Sequence, residues 1–412
     1  MNKKRWIIAL ALGFLLSPAA GEFLLPKDFG MEINAKTSSA KKGSESSKKS
    51  KSKTDSKNNG SSRKKSGSGI KTIYRDTLTG EWINLGRRNI VTYCDAEGNV
   101  RAMSQFSTSP SSASNYVRAL NLYADSLKEK GVRVYSLIAP TQGEFYMPPQ
   151  IEGNRSQEGV FRQVAEGFSP DVTPIFVFDN IRKHKDEEIY NRTDHHWAPL
   201  GAFYASEALA GQLKLPFIPL DSYTPDSVRN YVGSMFNFSG DPAIKRYPEV
   251  FVYFMPPGDY YAEFIDYTVK NKQTVGESEK HESSVFRKFP DGSGSAYSTF
   301  LGGDRHTVRI VNRNGHTGRR LLLVKDSFGN AMAPCLINSA DEVHVIDFRY
   351  YPHNLLDYIE DNGITDLIFV NCPSIGFSKN TADRFMRLLT KNRAGEDEEE
   401  PEENDEEEDD TI

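Results

Sequence analysis

The chain has 412 residues, with 51 Lys and Arg against 56 Asp and Glu, a net charge of −5, 38% hydrophobic residues and three cysteines. That composition excludes a polytopic membrane protein and a disulfide-dense miniprotein. Charge is segregated, with 11 basic and 2 acidic residues in Lys36–Lys65 and 13 acidic and no basic ones in Glu396–Asp410; the nearly neutral body between them argues against a dedicated nucleic-acid binder.

Met1 to Arg5 carries three basic residues, Trp6 to Leu16 is apolar, and Ser17-Pro-Ala-Ala-Gly21 supplies small residues suited to a signal peptidase. Residues 1–21 are therefore expected to be a signal peptide or signal anchor, which places the protein in the periplasm or on the extracytoplasmic membrane face. Residues 22–69, dominated from Thr37 by Ser, Lys, Gly and Asn, bury too little apolar surface to offset the entropy of ordering, so a flexible linker is expected. The acidic tail, 393–412, is expected to be disordered in the same way. Cys94, Cys335 and Cys372 form an odd set without a C-x-x-C motif. Pairing of Cys335 with Cys372 and two buried thiols both fit the sequence.

The body, 70–392, opens with β-leaning stretches, Glu81–Asn84 and Asn89–Tyr93, which suggest a short antiparallel edge. Strands and helices then alternate. A helix begins near Ser111–Ser114 and stops at Gly131, Val132–Ile138 reads as a strand, and Pro174–Phe178 reads as another. A short helix at Asn180–Lys185 and a brief strand at Glu188–Tyr190 deliver Thr193-Asp-His-His-Trp197, before a helix over Leu200–Leu213. Residues 216–305, rich in Tyr, Phe, Pro and Gly, read as an inserted β-rich or irregular lobe. From Arg319 alternation returns, with strands at Arg320–Val324, Glu342–Asp347 and Asp366–Val370, and helices at Gly329–Asn338, His353–Asn362 and Ser378–Asn392. This order predicts an α/β fold with a mainly parallel sheet between helices, whose working residues lie at the carboxyl ends of the strands.

Three predicted strand ends carry polar groups that make chemical sense together: Asp194-His195-His196-Trp197, Asp326-Ser327-Phe328 and Asn371. A serine hydroxyl needs an adjacent base to take its proton as it attacks, histidine titrates in the right range, and a carboxylate fixes the imidazole tautomer. Asp194 and His196, two residues apart, project to one side of an extended segment, and direct contact between them requires a bent turn. Ser327 lies between a strand and a helix, where its own N–H would stabilise an oxyanion, with Asn371 as a second donor.

Asp194-His-His-Trp197 followed by Asp326-Ser-Phe328 resembles the DHHW family, which is similar to the SGNH-hydrolase-like O-acetyltransferases of the alginate AlgJ and AlgX type. The resemblance implies an SGNH-like three-layer fold, Asp194 as triad acid, His196 as base and Ser327 as nucleophile. It further implies an exported acetyltransferase or acetylesterase acting on a polysaccharide, with no cofactor and with a membrane-bound acyltransferase delivering the acyl group. Lys325 stands where the family's serine motif has glycine, and Asn371 matches the third SGNH block only in part. Gly233 (with Ser234) and Asn330 are further candidate donors, and His195 a substrate-orienting candidate. Trp197 reads as a core anchor before a sugar-stacking platform, and His344 and His353 as structural histidines.

Asp-His-His also opens the manganese phosphoesterases of the DHH type, but those need Asp-x-Asp pairs that the body lacks, so no metal is expected. The non-enzymatic alternative is a glycan-binding or scaffold protein of a polysaccharide export complex.

Overall fold

The computed structural model describes residues 69–391. The signal segment, most of the linker and the acidic tail lie outside the described residues. Four strands come first: β1 (Lys71–Arg75), β2 (Trp82–Leu85), β3 (Ile90–Cys94) and β4 (Val100–Ser104). They form an antiparallel meander of their own rather than an edge of the main sheet. Gly80 and Gly98, both at positive φ, close two of its turns, where a Cβ would be strained. Ile90 and Ala102 pack the meander onto Met235 and Ile244.

The remaining strands are β5 (Arg133–Ile138), β6 (Val172–Ile175), β7 (Thr224–Tyr231), β8 (Glu249–Met255), β9 (Tyr260–Lys270), β10 (Gln273–Glu277), β11 (His281–Glu282), β12 (His306–Asn312), β13 (Arg320–Lys325), β14 (Glu342–Asp347) and β15 (Asp366–Asn371). The main sheet runs β10-β9-β12-β14-β13-β15-β5-β6, with β11 paired to β9. From β14 to β6 every pairing is parallel. Beyond β14 it is antiparallel, so the sheet is mixed rather than mainly parallel.

The cause lies in the 216–305 segment, which is no appendage. Its β9 pairs along β12 from Asp266↔His306 to Tyr260↔Asn312, inside the sheet. β12 itself, between the expected lobe and Arg319, alternates buried Val308 and Ile310 with half-buried Arg309 and Val311, the pattern of a strand. Only β7 and β8 form a separate two-stranded ribbon.

Burial explains the central strands. Leu321 and Leu323 of β13 enter one core, Leu322 and Val324 the other; in β15, Ile368 and Val370 oppose Leu367 and Phe369 in the same way. A strand buried on both faces is a continuous apolar run, as Leu321–Val324 is. Helices α1 (Ser114–Leu127), α2 (Gln157–Ala165), α7 (Leu355–Asp361) and α8 (Lys379–Thr390) bring Tyr123, Phe161, Ile359 and Phe385 to the second core. The first core takes Leu200, Phe203 and Leu209 from α3 (Pro199–Gln212), which is apolar nearly all round and accordingly buried. Short helices α4 (Met235–Ser239), α5 (Pro242–Lys245) and α6 (Gly329–Met332) complete the set used below. Cys94, Cys335 and Cys372 are all free and buried, so Cys335 and Cys372 are not paired.

Candidate active site

Central strand β13 ends at Lys325, and the chain turns through Asp326-Ser327-Phe328 into α6. Asp326 makes this turn rigid. Its N–H donates to Val370 O at 3.1 Å, and its carboxylate accepts from the N–H of Phe328 at 3.0 Å and of Cys372 at 2.7 Å. Burial pushes the Asp326 carboxyl above its ordinary range, against the pull of Arg349 and those two amides. The residue before the serine is thus a brace to β15.

The other half of the site hangs between the bridged residues Tyr190 and Trp197. This loop has no strand to hold it, and side chains replace the ladder. The buried Glu249 carboxylate, at the start of β8, accepts from the N–H of Arg192 and of Thr193, both at 2.7 Å, and from the Thr193 hydroxyl. Gln142 donates to Ala102 O at 2.6 Å and Asp194 O at 3.1 Å, tying the loop to the meander.

Asp194 Oδ1 accepts from the His196 backbone N–H at 3.0 Å and from its ring Nδ1 at 2.6 Å. This is the bent turn that direct contact at that spacing requires. Asp194 Oδ2 accepts from Ser234 N–H at 2.8 Å. Burial alone would raise the Asp194 carboxyl, but the neighbouring imidazoles and these hydrogen bonds outweigh it and hold the group well below its ordinary range. His196 Nε2 lies 2.7 Å from Ser327 Oγ. With Nδ1–H directed at the carboxylate, Nε2 is left to accept the serine proton. The structure therefore brings Asp194, His196 and Ser327 into one hydrogen-bonded chain.

Tyr297, from the supposed lobe, was invisible to sequence reasoning. Its ring stacks on His196 with centroids 3.7 Å apart and planes 3° apart. Its hydroxyl donates to Ser327 O at 3.0 Å, so one side chain sets both the imidazole and the serine. Tyr297→Phe keeps the stack and is expected to lower kcat on an acetyl ester by no more than about tenfold, the loss of one hydrogen bond. Tyr297→Ala releases the ring and is expected to lower it by about a hundredfold. Steady-state kinetics on both variants checks the split.

The other candidates divide. Trp197 is fully buried and donates through Nε1 to Phe328 O at 3.2 Å, an anchor under the serine turn. His195 Nδ1 lies 2.6 Å from Ser234 Oγ, and burial, reinforced by the neighbouring imidazole, depresses its pKa to about 3, so it is neutral. Gly233 N–H is already given to Thr193 Oγ1 at 3.0 Å. Asn330 spends its amide on Asp304 Oδ1 at 2.7 Å. Asn371 follows Val370, which faces the core of Trp197 and Phe328, so its own side chain faces away from Ser327. It is fully buried, and neither amide atom has a partner among the described residues. Asn371, Asn330 and Gly233 are therefore not poised as oxyanion donors, whereas the N–H of Ser327 is uncommitted among the described residues.

Gly233 matters for another reason. A Cβ there would lie 2.4 Å from Asp194 Cβ and 2.5 Å from its Oδ2. Gly233→Ala is expected to cost about 1–3 kcal/mol of stability and, by displacing Asp194, about a hundredfold in turnover. Thermal melts and kinetics measured together separate the two effects.

The ligand atoms of Asp194, His195 and His196 lie within 4.8 Å of one another, a spacing suited to a metal. Asp194, His195 Nδ1 and both nitrogens of His196 are, however, engaged in the hydrogen bonds above, so the cluster fits a proton relay better than an ion.

Lys325 does not pair with Asp326. Its fully buried ammonium lies 2.7 Å from Asp347 Oδ2 and 3.0 Å from Asp304 Oδ1. Arg349 grips Asp347 through Nε and Nη2 and reaches Asp304 at 3.0 Å. Burial opposes the charge on Lys325, but the two carboxylates keep its pKa raised. Gly329 makes room, since a Cβ there would meet Lys325 Cβ at 2.5 Å. His344 sits between Tyr358 and Glu342, and His353 bonds Glu277, both away from Ser327.

A family model described as DHHW protein matches residues 92–346. A crystal structure of a DHHW family protein from Eubacterium siraeum is 32% identical, with a TM-score of 0.64, over 78% of this chain and 99% of that one. Bacillus cereus PatB1 is 22% identical with a TM-score of 0.56, over 73% of this chain and 99% of that one. The same protein with a sulfonyl adduct gives 20% and 0.55, over 71% and 96%. A search of curated proteins finds no match.

Proposed function

The chain belongs to the DHHW family, and on that premise we propose that it is an exported SGNH-like O-acetyltransferase or acetylesterase acting on a cell-envelope or extracellular polysaccharide. The observation that carries this reading is the unbroken relay from Asp194 Oδ1 through the His196 ring to Ser327 Oγ, with steps of 2.6 and 2.7 Å.

The serine oxygen attacks the acetyl carbonyl carbon while its proton passes to His196 Nε2. The charge that develops on the ring is balanced by Asp194, which remains ionised. The carbonyl oxygen, now negative, lies within reach of the Ser327 N–H. Collapse of the intermediate breaks the bond to the leaving oxygen, which takes the proton from Nε2 and departs, leaving acetyl-Ser327. A sugar hydroxyl then attacks this ester, giving its proton to the same nitrogen, and Ser327 recovers a proton as it leaves. Water in place of the sugar gives hydrolysis.

Acetyl transfer outside the cytoplasm needs a donor carried across the membrane, the role proposed for a membrane-bound acyltransferase partner. Incubating the protein with an activated acetyl ester, followed by peptide mass spectrometry, is expected to show one acetyl group on the Ser327 peptide. A sulfonyl fluoride, chosen because PatB1 has been captured with a sulfonyl adduct, is expected to label the same residue. Labelling elsewhere with Ser327 unmodified would refute the assignment.

A further inference from the structure

The main sheet's site is not the only place where the chain concentrates groups suited to sugar. Arg75 on β1 and Trp82 on β2 are direct cross-strand partners, so their side chains share one face of the meander. Asn84, two residues on from Trp82, lies on that face too, and its amide donates to Asp241 Oδ2 at 2.9 Å. Beyond Asp241, α5 leads into Arg246 and Tyr247. Together these residues line a cleft of about 390 Å³.

Four of them have an unused binding group. Arg75 and Arg246 are exposed, and neither makes an ion pair or side-chain hydrogen bond among the described residues. Trp82 is half-buried and Tyr247 is 38% exposed, and neither ring stacks on another aromatic among the described residues. Asp241, by contrast, is buried, and its carboxylate is spent on Asn84 and on the N–H of Ala243 at 2.9 Å. The cleft therefore offers two open aromatic faces and two unneutralised guanidinium groups.

We propose that this cleft is an accessory binding site for an acidic polysaccharide. The flat rings match the apolar faces of pyranose units, and guanidinium forks match carboxylates bidentately. The inference rests on the polysaccharide reading above and extends it. The cleft is coupled to the site by chain. Ser234, whose N–H holds Asp194, is followed by the five-residue helix α4 and then Gly240 and Asp241. That path spans at most roughly 15 Å, so the cleft starts close to the segment that holds Asp194. Such a site raises the local concentration of acceptor at Ser327 without taking part in chemistry.

The test is affinity electrophoresis of the full chain through gels containing polygalacturonate or, as a neutral control, dextran. Wild-type protein is expected to be retarded by polygalacturonate alone. Trp82→Ala is expected to weaken retardation at least about tenfold, and the doubly substituted Arg75→Glu, Arg246→Glu protein to abolish it, with hydrolysis of a small acetyl ester unchanged in both. The two arginines are exposed, so their reversal spares the fold. Unretarded wild type, equal retardation by dextran, or retention of binding by the double variant would each overturn the proposal. Lost retardation with Ser327 still acylated removes the cleft alone. Retardation without acylation removes the catalytic reading alone.

Discussion

Ser327→Ala is expected to lower acetyl-ester turnover by on the order of 10⁴-fold or more while leaving the protein folded. The magnitude follows from what the hydroxyl does: with no oxygen to be acylated, only binding and oxyanion stabilisation remain. Stability should change by only about 1 kcal/mol, since one hydrogen bond to His196 is lost at a half-buried position. His196→Ala should be equally severe, and the double variant no worse than either single one, because the relay acts as a unit. Kinetics on the three proteins, with a thermal melt of each, checks this. A Ser327→Ala protein that retains turnover ends the acyl-enzyme reading. One that loses turnover yet supports full polymer modification in cells points instead to a scaffold.

Asp347→Ala is expected to destabilise the fold by about 3–5 kcal/mol, the largest structural effect predicted for this chain. Asp347 is fully buried and meets Lys325 and Arg349 together. Removing it leaves Lys325, itself fully buried, with Asp304 as its remaining partner. Urea denaturation at neutral pH measures the loss, and a midpoint equal to wild type would show that the cluster does not hold the turn. Acid tests the same network. Burial would raise the Asp304 carboxyl, but Lys325 and Arg349 reverse that and hold it far below its ordinary value of 3.8. Its contribution is thus complete above that pH and is lost as pH falls beneath it.

Parts of this arrangement are legible in sequence because they are local. The Asp194-to-Trp197 and Asp326-to-Phe328 segments each carry their chemistry within a few residues, and β13 and β15 declare themselves by continuous apolar runs. What could not be read is what depends on long-range contact. Glu249 is an acidic residue at a strand start until the fold sets it against Thr193. Tyr297 is one tyrosine among many until it lies on His196. Asn371 looked like a donor because a strand end preceded it, and the pleat turned it the other way. Lys325 adjoins Asp326 in the chain, yet a strand's alternation sends adjacent side chains to opposite faces, and its partners are the distant Asp347 and Asp304. The mixed character of the sheet was missed because β9 sits in a stretch whose aromatic and proline content suggested an excursion, and β12 falls in the gap between that stretch and Arg319.

The inward position of β9 bears on how the molecule can be trimmed. Excising 216–305 to obtain a minimal catalytic fragment would remove the partner of β12 and strip its outer row of amides and carbonyls bare, an invitation to edge-to-edge aggregation. It would also take away the carboxylate that shapes the histidine loop and the ring that steadies the base. A single backbone nick at the β9–β10 turn, where Asn271 and Lys272 lie at positive φ near the sheet's outer end, should by contrast leave both halves clasped together and active.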